Sequence, residues 1–320
     1  MARGWLLLAT LPLLVPAAFG QGYPSQPVRI VITAATGGGM DGLARALSIP
    51  LSQIWGQQVL VDNRPGGNTV VGTEFVARAT PDGHTLLMSE PALILNMSLY
   101  TKLPYDALRD FIPVTGLADV NQGLVVNPSL PVKNVQELIA LAKAKPGELS
   151  YASTGTGSIL HLEMEMLAAM AGVKVTHVPY KGGGPALTDI MGGHVQMMFS
   201  SVAAVTPHWK SGKLKLLGFS SAKRLPQYPD VPTVAEAGFK DFEGSAWFGI
   251  HAPAATPREA INRIYAGVRD VFADPAFIKR VLEPGGLQPI VSSPERFAEY
   301  IKAEAVKWER VIREAKIKLE

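Results

Sequence analysis

No cysteine occurs anywhere in the 320-residue chain, so neither a disulfide nor a thiolate nucleophile is available to it. Histidine is scarce as well. The six present are scattered without an H-x-x-x-H or H-E-x-x-H pair, which leaves metal ligation without its usual donors and predicts no metal and no cofactor. An excess of one charge is also missing. Thirty basic residues face 27 acidic ones, and setting aside Arg3 of the leader described below leaves a net charge of +2. That balance argues against nucleic-acid binding and against a polybasic membrane patch. Beyond the first twenty residues no run of eighteen uninterrupted apolar residues appears, so no membrane span is predicted.

What is present begins with those twenty residues. Met1 to Gly20 has one charge, Arg3, an apolar core from Trp5 to Val15, and small residues before Gln21. This is the pattern of a secretory signal peptide cleaved after Ala18-x-Gly20, and it predicts export, with the periplasm as the compartment. An exported chain without disulfides must rely on its core, which about three hundred residues can supply as two domains.

The mature chain is organised around Arg29-Ile30-Val31-Ile32-Thr33-Ala34-Ala35-Thr36-Gly37-Gly38-Gly39-Met40-Asp41. It reads as a buried strand, a glycine loop and a helix whose apolar face is Leu43, Ala44, Leu47 and Leu51. Glycines let backbone N–H groups approach a ligand, and the first helical turn offers unpaired donors at the positive end of the macrodipole, so an anion is the natural guest. The loop matches neither G-x-x-x-x-G-K-[ST] nor G-x-G-x-x-G, and a purely structural turn is the alternative. Asp41, in the first turn, is suited to capping N–H groups.

Strands and helices then alternate. Gln58 to Asn63 and His84 to Ser89 read as strands, with a helix through Val70, Phe75 and Val76 between them, so the sheet is expected to be parallel with ligand positions at its strand ends. Ser89 and Glu90 mark one such end. From Gly123 a second series begins: a helix opened by Asn134-x-x-Glu137, a strand from Leu149 to Ser153, and a second glycine loop, Thr154-Gly155-Thr156-Gly157-Ser158, feeding a helix that carries His161. His161 could donate to an anion or sit satisfied in the interior. A strand from Val195 ends at Ser200-Ser201. Asp230 to Gly238 predicts a short capped helix, and Thr256-Pro257-Arg258-Glu259 a helix start with Thr256 as N-cap.

Three stretches, Thr36 to Asp41, Ser153 to Ser158 and Ser200-Ser201, thus gather glycine and hydroxyl residues without a cluster of acids and without Lys or Arg. A carboxylate can be held there by neutral donors. Hydrolysis lacks its machinery: Gly157-Ser158-Ile159 and Gly244-Ser245-Ala246 are not nucleophile elbows, and no paired acids face each other.

With these features in place, the chain resembles the periplasmic solute receptors of tripartite tricarboxylate transporters, often called Bug receptors. The resemblance is carried by Tyr23-Pro24-Ser25-Gln26-Pro27-Val28-Arg29, Gly38 to Asp41, Asp62-Asn63-Arg64-Pro65-Gly66 and Pro81 to Leu87. It continues through Leu103-Pro104-Tyr105-Asp106, Val125 to Val132, His177 to Gly182, Leu225 to Gly238 and Trp247-Phe248-Gly249. It implies an α/β, two-domain periplasmic binding protein of type II-like form, with mixed sheets flanked by helices and two crossing segments at a hinge. The domains would be residues 21–120 with 247–320, and 121–246, crossing near Leu117 to Gln122 and Glu243 to Trp247.

The implied function is non-enzymatic: a monomeric receptor that binds a small carboxylate and passes it to integral membrane transporter subunits. A secreted hydrolytic enzyme and a periplasmic sensor or adaptor in signalling are the alternatives. The expected ligand residues are Ala34, Thr36, Gly38, Gly39, Met40, Asp41, Ser89, Glu90, Thr154, Thr156, Ser158, His161, Ser200 and Ser201. Where the family usually has Pro-Phe-Ala-Pro, this chain has Thr33-Ala34-Ala35-Thr36, and Glu90-Pro91-Ala92-Leu93 replaces the usual small residues. The lost bulk, with Met40 and Leu93 nearby in sequence, points to an aromatic mono- or dicarboxylate.

Overall fold

A computed structural model describes residues 22–244 and 246–319; the expected signal peptide and its cleavage site lie outside the described residues. The chain runs β1 (Val28–Ile32), α1 (Gly39–Trp55), β2 (Val59–Asn63), α2 (Val70–Ala77), β3 (Thr85–Ser89), α3 (Ala92–Leu99), β4 (Phe111–Val120) and β5 (Gln122–Val126). It continues as α4 (Val135–Ala144), β6 (Ser150–Ser153), α5 (Ile159–Ala171), β7 (Thr176–Pro179), α6 (Gly183–Gly192), β8 (Met197–Ser201), α7 (Val202–Lys210) and β9 (Lys215–Phe219). After an irregular return come β10 (Ala246–Pro253), α8 (Arg258–Phe272) and the short α9 (Pro275–Phe277). A π-helical turn (Ile278–Leu282), a 3-10 turn (Glu283–Gly285), β11 (Leu287–Pro289) and α10 (Pro294–Glu314) complete the order.

Two mixed sheets result, β11-β4-β10-β3-β1-β2 and β7-β6-β8-β5-β9. The parallel pairing predicted from alternation is present at β2-β1-β3, but β10 enters antiparallel between β3 and β4, and β11 lies antiparallel on β4. The reason is connectivity: β10 is the chain returning after the whole second sheet, not a βαβ crossover, so no rule imposes parallel direction.

Passage between the sheets is abrupt. Val120 still pairs with Ala246 and Leu287 in the first sheet, whereas Gln122 already pairs with Ser201 in the second, leaving Asn121 alone between them. On the return, Gly244 N–H donates to Ser220 O, and Ala246 is the first residue back in β10. The two crossings therefore run side by side.

One face of the first sheet is covered by α1 and α8, packing Leu43, Leu47 and Trp55 against Ile261, Ile264 and Val268. The other face shares a continuous apolar core with the second sheet, in which α10 packs on β4, α3 and α5. Two local expectations are corrected. Thr233 and Glu236 exchange reciprocal bonds (Glu236 N–H to Thr233 Oγ1 3.2 Å, Thr233 N–H to Glu236 Oε2 3.1 Å), yet only turns follow, because Gly238 at φ +108° stops the chain at once. Thr256 does not cap α8; its hydroxyl donates to Pro253 O at 2.8 Å.

Candidate functional site

The first glycine loop is shaped from beneath by Asp41. Its carboxylate accepts from Gly37 N–H (3.0 Å), Arg45 Nε (3.1 Å) and Asn63 Nδ2 (3.0 Å), and Asn63 also donates to Ala34 O. These bonds, Arg45 first among them, hold Asp41 at about 2, well below the ordinary carboxylate value. Asp41 is buried and committed inward, so it builds the loop instead of facing a guest. Gly37 takes φ +91°, and Gly38 is an N-cap without a side-chain bond. Thr36, Gly38 and Gly39 are exposed above it. The first turn of α1 consequently has backbone donors with no cap from its own sequence.

Several other candidates are also placed inward. Met40 and Leu93 belong to the apolar cores, so neither offers a surface to an aromatic ring. Ser89 ties β3 to β10 through Gly249 O (3.1 Å) and His251 Nδ1 (2.7 Å). Ala34 is half-buried against the α1 core. Glu90 stands beside Thr33 Oγ1 at 3.5 Å, and burial raises its pKa, which favours a protonated carboxyl able to donate.

The second loop is propped by a stack of rings. His161 and His177 lie face to face, 3.8 Å between centroids and 8° between planes, with Tyr151 stacked beyond. His161 Nδ1 accepts Gly157 N–H at 3.0 Å, and His177 Nε2 meets Ser153 Oγ at 2.7 Å, which itself accepts Gly155 N–H. Burial, with His177 adding to it, pushes His161 down to about 3, so the ring is a neutral acceptor and not an anion donor. Ser158 caps α5 through His161 N–H (3.4 Å). Thr156 is exposed and Thr154 half-buried, and neither hydroxyl has a partner among the described residues. Gly157, at φ +78°, packs so closely on Leu99 and Leu319 that a β-carbon would lie 2.9 Å from each, which seats this loop against α3 and the C-terminal tail.

A cavity of about 500 Å³ opens where α1 faces α7. Gly39, Gly42 and Ala46 form one wall, Ser201 and Ala203 another, with Phe248 and Leu287 behind. Ser201 caps α7 through Ala204 N–H (3.4 Å), whereas Ser200 is buried within β8 opposite Gly123. The lining contains no acid, and its one charge is Arg280, on the π-helical turn, without an ion pair among the described residues. Thr36 and the Thr154 to Ser158 loop stand outside this lining. Arg280 escaped the sequence reading: it lies some 240 residues from the first loop, inside a turn that carries no motif.

Of the expected residues, then, Gly39 and Ser201 meet at one cavity. Thr36, Gly38, Thr154, Thr156, Ser158, Ala34 and Glu90 lie at loop positions, and Met40, Asp41, Ser89, His161 and Ser200 are corrected to interior roles.

The fold is that of the periplasmic binding proteins. Two solved structures show this at appreciable identity: an R. palustris protein with adipate (34% identical, TM-score 0.82, covering 92% of this chain and 99% of that one), and MatC from Rhodopseudomonas palustris with bound malate (29%, 0.77, 91% and 100%). The chain belongs to the tripartite tricarboxylate transporter receptor family, whose model matches residues 43–317. Protein BugT of Bordetella pertussis is 34% identical over 316 residues, 98% of this chain and 96% of that protein.

Proposed function

We propose that this chain is a periplasmic receptor that takes a small carboxylate between its two sheets and delivers it, as a monomer, to a membrane transporter. The observation that carries this is the cavity between the starts of α1 and α7: it is free of acids, bears the single cation Arg280, and borders an uncapped helix start. Such walls favour an anion with an apolar body. The lobes would be residues 21–120 with 247–320, and 121–246, turning about the paired crossings to close on the ligand.

Adipate and malate, in the neighbours' structures, are both dicarboxylates, which supports a charged group at each end of the ligand. With Met40 and Leu93 inside the cores, the aromatic preference loses much of its basis, and aliphatic dicarboxylates join it as candidates. Arg280 would take one end and the α1 loop the other.

A thermal-shift screen of residues 21–320 against aliphatic and aromatic mono- and dicarboxylates tests this. A ligand at about a hundred times its dissociation constant stabilises by roughly 2.7 kcal/mol, a clear upward shift. No shift with any carboxylate, or product formed from one, would overturn the proposal.

A further inference from the structure

At the crossings lies a group that ligand binding does not use. Glu163, on α5, is fully buried, and neither of its carboxyl oxygens has a hydrogen-bond partner among the described residues. It packs on the return crossing: a β-carbon at Gly244 would lie 2.6 Å from its Cγ and 2.8 Å from Oε1. Gly244 N–H is bonded to Ser220, which follows β9 of the second sheet, and Ala246 pairs in the first, so this carboxyl lies beside the return crossing.

The groups facing this place come from every element around it. Lys307 of α10 donates to Glu243 O at 3.3 Å and pairs with Glu304, which accepts Trp308 Nε1–H at 2.9 Å. Asp119, two residues before the other crossing at Asn121, feels Glu243 and Glu304 as repulsion and Lys307 as attraction, and it is pushed up to about 7, chiefly by burial. Four acids, Asp119, Glu163, Glu243 and Glu304, thus gather around one lysine that already has two partners. They do not form a metal site: no group of three or more metal-capable side chains is assembled among the described residues. A fully buried, unpartnered carboxylate is too costly to keep ionised, so in this conformer Glu163 carries its proton.

We propose that the hinge is proton-linked: the conformer with Glu163 sealed against Gly244 holds a proton that is released when rotation about the crossings admits water to that carboxyl. By linkage, raising the pH favours the opened arrangement and lowering it favours the one seen here. The inference rests on the hinge proposed above but needs no ligand, so its test is independent of which carboxylate, if any, binds.

The test is made on ligand-free residues 21–320. Infrared spectroscopy at pH 7 should show the C=O stretch of protonated carboxylic acids, and Glu163→Gln should remove a component of it that Asp119→Asn and Glu90→Gln leave in place. Small-angle scattering from pH 5 to pH 9 should give a radius of gyration that grows with pH in the wild type and stays flat in Glu163→Gln. Lys307→Met, which removes the cation that opposes protonation, should move the wild-type transition to higher pH. A wild type without the acid band, a radius insensitive to pH, or a Glu163→Gln profile equal to the wild type's would each overturn the proposal.

Discussion

Asp41 shapes the first glycine loop from beneath and faces inward, away from the surface that loop presents. Its three bonds fold the first glycine loop, and the donors the loop presents depend on that fold. Because its folded pKa is depressed to about 2 from an ordinary 3.8, its stabilisation is present above pH 3.8 and lost as the pH falls toward 2. Asp41→Asn should lower the melting temperature at pH 7 and flatten its decline between pH 4 and pH 2. Calorimetric scans at both ends of that range check this. On the ligand side, one lost bond to a charged group costs about 1.5–3 kcal/mol, roughly ten- to a hundredfold in affinity, and Thr156→Val, outside the cavity lining, should escape that loss. Arg280→Gln should cost a dicarboxylate a similar factor while leaving a monocarboxylate of equal length nearly unchanged, and titration of adipate against hexanoate separates the two. The two glycine loops were legible in sequence as strand-to-helix junctions, because glycine and hydroxyl residues gather where an apolar run gives way to helical spacing. The inward turn of Ser89, Asp41 and His161 was not, since each is decided by partners far along the chain, such as Asn63, His177 and His251.

Elements were legible where a local signal settles them. Asn134 caps α4 by accepting Glu137 N–H at 2.8 Å, and Ser293, ahead of Pro294 and Glu295, caps α10 by accepting Arg296 N–H. The 230–238 segment carries an equally good capping pair but has no room to propagate before Gly238, so its local signal misleads. The ring stack beneath α5 gives the second loop a pH limit. His161 has a folded pKa of about 3 against 6.5 unfolded, so its contribution is complete above pH 6.5 and declines as the pH falls through that window. His161→Asn keeps an acceptor for Gly157 N–H without titrating, and its melting temperature should fall less than the wild type's between pH 6.5 and pH 4. For α10, Trp308 is buried at 1% exposure in the core shared by both sheets. Trp308→Ala should destabilise by about 3–5 kcal/mol. Because α10 touches both β4 and α5, loss should appear as one shifted denaturant transition and not as the separate melting of one lobe.

At the scale of the molecule, strand and helix alternation was enough to foresee two α/β units, but not the strand order. The insertion of β10 beside β3 joins residues 160 positions apart, and no local pattern encodes it. That insertion places the two crossings side by side, Asn121 beside the return between Gly244 and Ala246, and two adjacent short links are what the proposed hinge requires. The central claim is that a carboxylate draws the two lobes together about these links. Small-angle scattering of residues 21–320, titrated with adipate or whichever carboxylate calorimetry shows to bind, measures this directly. The account predicts a smaller radius of gyration that saturates with the calorimetric isotherm; an unchanged radius at full occupancy would contradict it.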